Sequence, residues 1–449
     1  MRRPVIMWFR RDLRLADLPA LHHAVSEGAP VVPLFVVDPR FANSGAPRRS
    51  FMAAALEALD RSMDGSLVYR HGDPAVVVPT LVRELGAASV VVSRDYAPYG
   101  QARDIAVAAA VSELGATFQG VASPYAVPPG TVTKTDGMPY SVFTPFAKAW
   151  RSHGWATPLP VPDVEWLGAP QIACDGPPDV PAEAPSIGGA SEDEAWARWL
   201  DVQPNLHQYA DARDLPAVDG TSRLSAALRW GLVHPRQLLH DLSPEHGDEV
   251  FAKELAWREF YADVLHRRPD SARSNLNPKM DAMRVDTDTD ARRRFDRWAN
   301  GTTGYPIVDA GMRQLSATGW MHNRVRMLVA SFLVKDLHLP WQWGARYFMR
   351  HLVDGDLASN AHGWQWCAGT GTDASPYFRV FNPTTQAVRF DPNGDYVRRW
   401  VPELLHVADA AVHSPGPLLA HDYPAPMVDH SVERGEALAR YRSATAGSR

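Results

Sequence analysis

The sequence predicts a doubly wound parallel α/β domain followed by an all-α domain, on three observations. In residues 1–125, short, continuously apolar runs alternate with helix-like segments. Residues 126–191 are crowded with Pro and Gly, as befits a connection running over a surface. In residues 192–449, apolar side chains recur at helical spacing and strand-like alternation is scarce. A chain of 449 residues has ample length for two or three domains.

The expected strands are Val5–Phe9, Val31–Val37, Ser66–Tyr69 and Ser89–Ser93. Such unbroken apolar runs mark a parallel sheet covered on both faces. The expected helices between them are Leu18–Glu27, Arg48–Met63, Pro74–Leu85 and Gln101–Leu114. Ligands of such folds sit beyond the carboxyl ends of the strands, which points to Phe35–Asp38 and Arg94–Gly100. No Gly-x-Gly-x-x-Gly follows the first strand, so the dinucleotide fingerprint is absent. Within the connection, Thr144–Trp150 reads as a short helix with Pro in its first turn. The helical half shows its periodicity best in Glu249–Leu265, Asp290–Ala299, Ile307–Gly319 and Arg326–Leu337.

Composition narrows the classes. The chain is 45% hydrophobic with a formal charge of −5, which describes a soluble globular protein and excludes a uniformly basic nucleic-acid coat. Local patches such as Arg267-Arg268 or Arg292-Arg293-Arg294 remain compatible with it. Two cysteines suggest neither a disulfide framework nor a zinc site and fit a reducing cytoplasm. The N-terminal apolar run breaks at Arg10, as a strand does and a signal peptide does not. Fifteen Trp are many for this length, and indoles are stacking surfaces for flat ligands.

Three places combine residue types that a core does not need. In Gly220-Thr221-Ser222-Arg223-Leu224-Ser225, hydroxyls and Arg precede a helix; this suits a phosphate, and equally an ordinary helix cap. Glu254, Trp257, Arg258 and Tyr261 stand at i, i+3, i+4 and i+7, so one helix face carries all four; an amphipathic interface reads the same way. The stretch from Asn323 to Phe381 crowds Trp341, Trp343, Trp364 and Trp366 among Asp354, Asp356, Asn360, Thr370–Ala374 and the Arg324/Arg326 pair. Asn323, Arg326 and Met327 share a face there and Arg324 points elsewhere.

Taken together, the motifs resemble the photolyase/cryptochrome family. The likeness starts at Trp8-Phe9-Arg10-Arg11-Asp12-Leu13-Arg14-Leu15 and continues through Thr144-Pro145-Phe146, Gly220–Ser225 and Trp257-Arg258-Glu259-Phe260-Tyr261. It runs on through Thr303–Ala310, Gly319–Met327 and the tryptophan-rich stretch to Tyr377–Pro383, in the family's order over nearly the whole chain. Within the family it is most like the class I branch that repairs cyclobutane pyrimidine dimers.

The resemblance implies FAD, reduced when active, bound by the helical domain. Tyr209 and Thr221, Ser222, Arg223, Leu224 and Ser225 match positions that cradle its diphosphate and ribityl chain. Arg258, Arg326, Asp354 and Asp356 match positions around the isoalloxazine. Asn360 matches the residue beside flavin N5, where plant-type cryptochromes carry Asp and insect-type ones Cys. Glu254, Trp257, Asn323, Met327 and Trp366, with Arg324 beside them, match positions that receive a flipped-out dimer in UV-damaged DNA. A (6-4) lesion would call for His near Met327. Trp364 and Trp341 match the inner and middle members of a tryptophan electron relay; Asp288 stands at the outer position, so the relay either stops at two or exits through another aromatic such as Trp343.

For the antenna chromophore, Pro98-Tyr99-Gly100 and Arg103-Asp104 look like the deazaflavin-binding relatives, and the Asn-Glu pair of folate users is missing. The expectation is 8-hydroxy-5-deazaflavin near Phe35, Asp38, Arg48 and Tyr99, with FMN, folate or an empty site as alternatives. Also expected are a monomer, no metal, no membrane contact, and a cytoplasmic place with recruitment to damaged nucleoid DNA. The rival reading is a cryptochrome-type photoreceptor, disfavoured by Asn360 and by a chain ending at Arg449, soon after the family core.

Overall fold

The computed structural model describes residues 2–185, 187–372, 378–416 and 418–446. Asp373, Ala374 and Tyr377 of the predicted motifs lie outside the described residues. In chain order the first elements are β1 (Val5–Phe9), α1 (Pro19–Ser26), β2 (Val31–Val37), α2 (Ala46–Ser62), β3 (Val68–His71), α3 (Pro74–Leu85), β4 (Ser89–Ser93), α4 (Pro98–Glu113), β5 (Thr117–Val121), α5 (Phe143–His153) and α6 (Glu192–Val202). Then come α7 (Tyr209–Ala212), α8 (Ser225–Trp230), α9 (Pro235–His240), α10 (His246–Arg267), α11 (Thr289–Ala299), α12 (Pro306–Thr318), α13 (Asn323–Ser331), α14 (Trp341–His351), α15 (Leu357–Ala368), α16 (Pro383–Phe390), α17 (Asp395–Trp400) and α18 (His430–Ala446).

The strands form one parallel sheet in the order β3-β2-β1-β4-β5, the doubly wound arrangement the alternation predicts. β1 is central, with Val5 opposite Val31 on one side and Ser89 on the other. All five of its residues are buried. β3 begins two residues later than expected. The Leu67 N–H is taken by Asp60 Oδ1 at 2.8 Å, and sheet pairing starts with Val68 opposite Leu34. It ends on Arg70 and His71, which an edge strand tolerates. β5 was not expected: Thr117–Val121 is polar, contains Gly, and is mostly half-exposed at the other edge, so it lacks the apolar run.

Packing divides the chain into two compact units, residues 1–207 with 222–269, and residues 208–221 with 270–449. The first thus combines the sheet with α8, α9 and α10, a grouping by packing where the three-part division above follows composition. Its connection is well anchored. Asp175 N–H donates to Tyr69 O at 2.9 Å and Tyr69 N–H to Cys174 Sγ at 3.2 Å, covering the β3 edge. α10 holds the connection's other end: Glu259 accepts from Ala126 N (2.5 Å), Val127 N (3.1 Å) and Trp150 Nε1 (2.5 Å), and Asp263 from Gly130 N (2.7 Å).

The second unit is helical around an apolar core running from Ala291 through α12–α15 to Tyr423. The Thr303–Ala310 motif is structural there. Buried Asp309 accepts from Thr303 N (2.7 Å), Thr303 Oγ1 (2.6 Å), Gly304 N (3.0 Å) and the Tyr423 hydroxyl. The helix expected over Arg326–Leu337 is regular only to Ser331. Residues 332–336 form a wider turn in which Leu337 N–H reaches Phe332 O at 3.0 Å, the i→i+5 spacing. Among the described residues no helix is long and apolar enough to cross a membrane.

Candidate active site

In the first unit, α10 presents Glu254, Trp257, Arg258 and Tyr261 partly exposed, while Leu255, Ala256, Glu259 and Phe260 between them are buried. The i, i+3, i+4, i+7 spacing therefore makes one face, as predicted. Trp257 lies flat on Phe143 of α5, ring centroids 3.6 Å apart and planes 7° from parallel. Arg258 is turned to the connection: it donates to Pro124 O (3.3 Å) and Leu228 O (3.1 Å) and stacks on Tyr125 at 4.5 Å. Burial pushes the Glu259 carboxyl up to about 7, against three N–H donors and Arg258. In the loop before α8, Ser222 is half-buried with its Oγ accepting from Leu224 N at 3.4 Å, Ser225 opens α8 exposed, and the Leu224 side chain is buried. Arg223 takes a left-handed φ of 54°, a costly conformation for a residue with a Cβ.

The carboxyl ends of β2 and β4 bring together two of the four predicted antenna residues. The Tyr99 hydroxyl, opening α4, donates to Asp38, which follows β2. Burial and then that bond push the phenol up to about 12. Phe35 and Arg48 are buried on β2 and in the first turn of α2. Arg103, part of the antenna signature read from sequence, lies with its guanidinium 5.7 Å from the Tyr99 ring, and Arg40, which sequence reasoning missed, lies 4.6 Å from it. Beneath them, burial pushes Asp95 up, but Arg11, Arg10 and Arg103 outweigh it and hold the carboxyl below its usual range.

In the second unit, α13 opens on His322, whose Nδ1 accepts from Arg324 N at 3.1 Å. Burial pushes this imidazole down to about 4 despite Asp214 nearby. Asn323 is exposed and Met327 half-buried. Arg324 is held by Asp214 at 2.6 Å and stacks on Phe390 at 4.4 Å. Arg326 makes a two-pronged pair with Asp354, at 2.8 and 3.2 Å, and donates to Met321 O at 2.8 Å. Asp356 caps α15 by accepting from Ser359 N at 3.0 Å. One turn in, Asn360 donates from Nδ2 to Ala345 O at 2.9 Å, so its Oδ1 faces away from that carbonyl as an acceptor. Trp366 is half-buried in a cleft with Lys335, Phe378, Arg379 and Phe381. Tyr209 is buried under Arg213, 5.8 Å away, and Thr221 is half-buried.

Trp364 is buried against Phe348 (5.0 Å) and Trp298 (6.1 Å), and its Nε1 meets no acceptor among the described residues. Trp341 donates to Asn275 at 2.9 Å. Asp288 caps α11 through Ala291 N at 2.8 Å. From Trp298 the rings continue through Phe295 (5.5 Å) to Trp343 (5.7 Å further), which lies under Arg292 at 3.5 Å. Trp298 and Phe295 were not singled out from sequence, because contacts between α11, α14 and α15 leave no signal in spacing along one helix.

Each unit by itself offers groups that suit part of a flavin dinucleotide. Hydroxyls and a guanidinium at 221–225 match phosphates. An acceptor oxygen at Asn360, a paired Arg326–Asp354 and an orphan indole N–H match the edge of a polar ring. No group of three or more His, Cys, Asp or Glu among the described residues is placed to hold a metal ion.

Residues 5–163 match the family model for DNA photolyase, and residues 251–443 the model for the FAD binding domain of DNA photolyase. A deoxyribodipyrimidine photo-lyase of Vibrio cholerae is 39% identical over 98% of this chain and 99% of its own. This chain belongs to the DNA photolyase family. Among solved structures, a bacterial class III photolyase from Agrobacterium tumefaciens superposes with a TM-score of 0.91 at 36% identity, covering 99% of this chain and 98% of that one. A cryptochrome from Synechocystis superposes with a TM-score of 0.89 at 27% identity, covering 97% and 98%. The photolyase fold and the FAD-binding domain thus stand where the motifs placed them.

Proposed function

We propose that this photolyase is a deoxyribodipyrimidine photo-lyase that repairs cyclobutane pyrimidine dimers in UV-damaged DNA with FAD. The observation that carries it is similarity to a curated photo-lyase along 98% of the chain. Because a solved neighbour is a class III photolyase, dimer repair is proposed without restriction to the class I branch.

The chemistry supplied by bound, reduced FAD is light-driven transfer of one electron to the dimer, reversed once the ring has opened. The chain's own residues bind, orient and set the electrostatics. Thr221, Ser222, Arg223, Ser225 and the backbone at Leu224 take the diphosphate side, with Tyr209; Arg326, Asp354, Asp356 and Asn360 take the ring, and Arg258 braces the connection behind α10. The Asn360 Oδ1, fixed by the bond from Nδ2 to Ala345, would accept from an N–H of bound flavin and so favour its reduced form. Trp257 and Trp366 offer flat walls to pyrimidine rings, Glu254 in its protonated form donates to their carbonyls, and Asn323, Arg324 and Met327 complete the recognition. Trp364 passes electrons inward, either from Trp341 or along Trp298, Phe295 and Trp343.

We further propose 8-hydroxy-5-deazaflavin as the antenna, with FMN or folate as alternatives, held at Phe35, Asp38, Arg48 and Tyr99. The Tyr99–Asp38 bond and the arginines around it support a flat, polar ligand there. The three-part division at 125/126 and 191/192, a monomeric state and a cytoplasmic place at damaged DNA complete the proposal. Cryptochrome-type signalling without repair is the second reading, favoured only by the Synechocystis likeness. Illuminating the reduced protein with a dimer-containing oligonucleotide separates them, since only a photo-lyase restores the pyrimidines.

A further inference from the structure

We propose that Phe143 is a positioning residue for damaged DNA, acting through Trp257; this rests on the lesion-binding role given to Trp257 above. Phe143 opens α5, one residue before the short helix that the sequence predicts within the connection. Its ring covers one face of Trp257, with centroids 3.6 Å apart and planes 7° from parallel. The other rings beside Trp257 stand at steep angles, Tyr261 at 43° and Phe260 at 71°. Neither Phe143 nor Trp257 is fully buried, so the pair is not core.

Isolated aromatic pairs prefer offset or edge-to-face packing over a face-to-face sandwich. Here the sandwich is imposed by the packing of α5 on α10. Fully buried Phe260 sits 5.9 Å from Phe143 and 5.1 Å from Phe146, and Trp150 is tied to Glu259 at 2.5 Å. Two consequences follow. Phe143 occupies one face of the indole, so a base stacks from the opposite side only. The indole is also already immobile, so binding loses less side-chain entropy.

The test measures affinity for a dimer-containing oligonucleotide, and kcat and KM for repair, on FAD-loaded protein. Phe143→Ala should weaken affinity and raise KM about 3- to 10-fold, the range of one aromatic pair, with kcat and FAD content unchanged. Phe143→Tyr should restore both. Phe143→Leu, which keeps the apolar contact with Phe260 but not the flat face, should resemble Phe143→Ala and covers the case in which the alanine variant folds poorly. In a Trp257→Ala background, Phe143→Ala should have no further effect. If Trp257→Ala weakens binding and the Phe143 variants do not, the positioning role is wrong and the lesion role of Trp257 stands. An equal loss in both backgrounds also overturns it, since Phe143 would then act independently. Unchanged affinity in Trp257→Ala overturns both.

Discussion

Gly344→Ala sets two effects against each other that the structure can weigh. Gly344 lies within α14, where Ala is the better helix former by about 0.5–1 kcal/mol. A Cβ there, however, falls against Cη2, Cζ3 and Cζ2 of Trp364, the farthest of the three at 2.6 Å. Carbon atoms pack best at about 3.5–4.0 Å, so even the farthest of the three overlaps by roughly 1 Å and the other two by more. The indole has no room to retreat: it is 2% exposed and boxed edge-on by Phe348 at 75° and Trp298 at 72°. Overpacking of this kind costs about 1–3 kcal/mol and outweighs the helix gain. The thermal unfolding midpoint of the FAD-loaded protein should therefore fall, and flavin photoreduction should slow as Trp364 shifts. Gly435→Ala in α18, where a Cβ meets nothing within 4 Å, is the control and should raise the midpoint slightly. If Gly344→Ala is as stable as Gly435→Ala, α14 and α15 do not pack as described.

Four further outcomes are expected. Asp354→Asn breaks a two-pronged pair whose carboxylate is buried while Arg326 keeps some solvent; a loss of about 1–3 kcal/mol and a lower FAD-to-protein ratio after purification should result. Glu259→Gln turns an NH2 toward a backbone N–H at Ala126 or Val127 and should cost about 1–3 kcal/mol by denaturant titration. His322 and His362 both have imidazoles pushed down to about 4 by burial, so their contribution is present above their ordinary 6.5 and lost as pH falls toward 4. Glu259, pushed up to about 7, contributes below its ordinary 4.5 and loses that as pH rises through 7. Between these limits two protons oppose one, so the three groups together lower stability by about 1.4 kcal/mol per unit of acidification; the slope of melting temperature against pH should steepen in Glu259→Gln. Trp364→Phe should block flavin photoreduction by an external thiol under light yet spare repair by chemically prereduced protein; unchanged photoreduction would mean that electrons enter elsewhere.

Much of this architecture was legible in residue order. β1, β2, β4 and α3 have the predicted bounds because each is an apolar run closed by turn residues. β5 was not legible because an edge strand needs no apolar run, and Thr117–Val121 has none. The α10 face was legible because its four residues obey one helix period. What lies against that face was not. Phe143 reaches Trp257 from a segment more than a hundred positions away, and the buried Glu259 looks in sequence like any charge beside Arg258. The electron path shows the same limit. Trp364 and Trp341 are visible as motif positions, while the rings that touch Trp364 are Trp298 and Phe348. Asp288 reads as a gap in a relay until its bond to Ala291 N shows it to be a helix cap.

This chain turns light into dimer repair. The most direct measurement is to reduce the flavin chemically, add an oligonucleotide with one cyclobutane thymine dimer, illuminate with blue light, and follow recovery of thymine absorbance against a dark control. Repair in the light and none in the dark is the predicted result. Dimers left intact under light by fully reduced, FAD-loaded protein would contradict it.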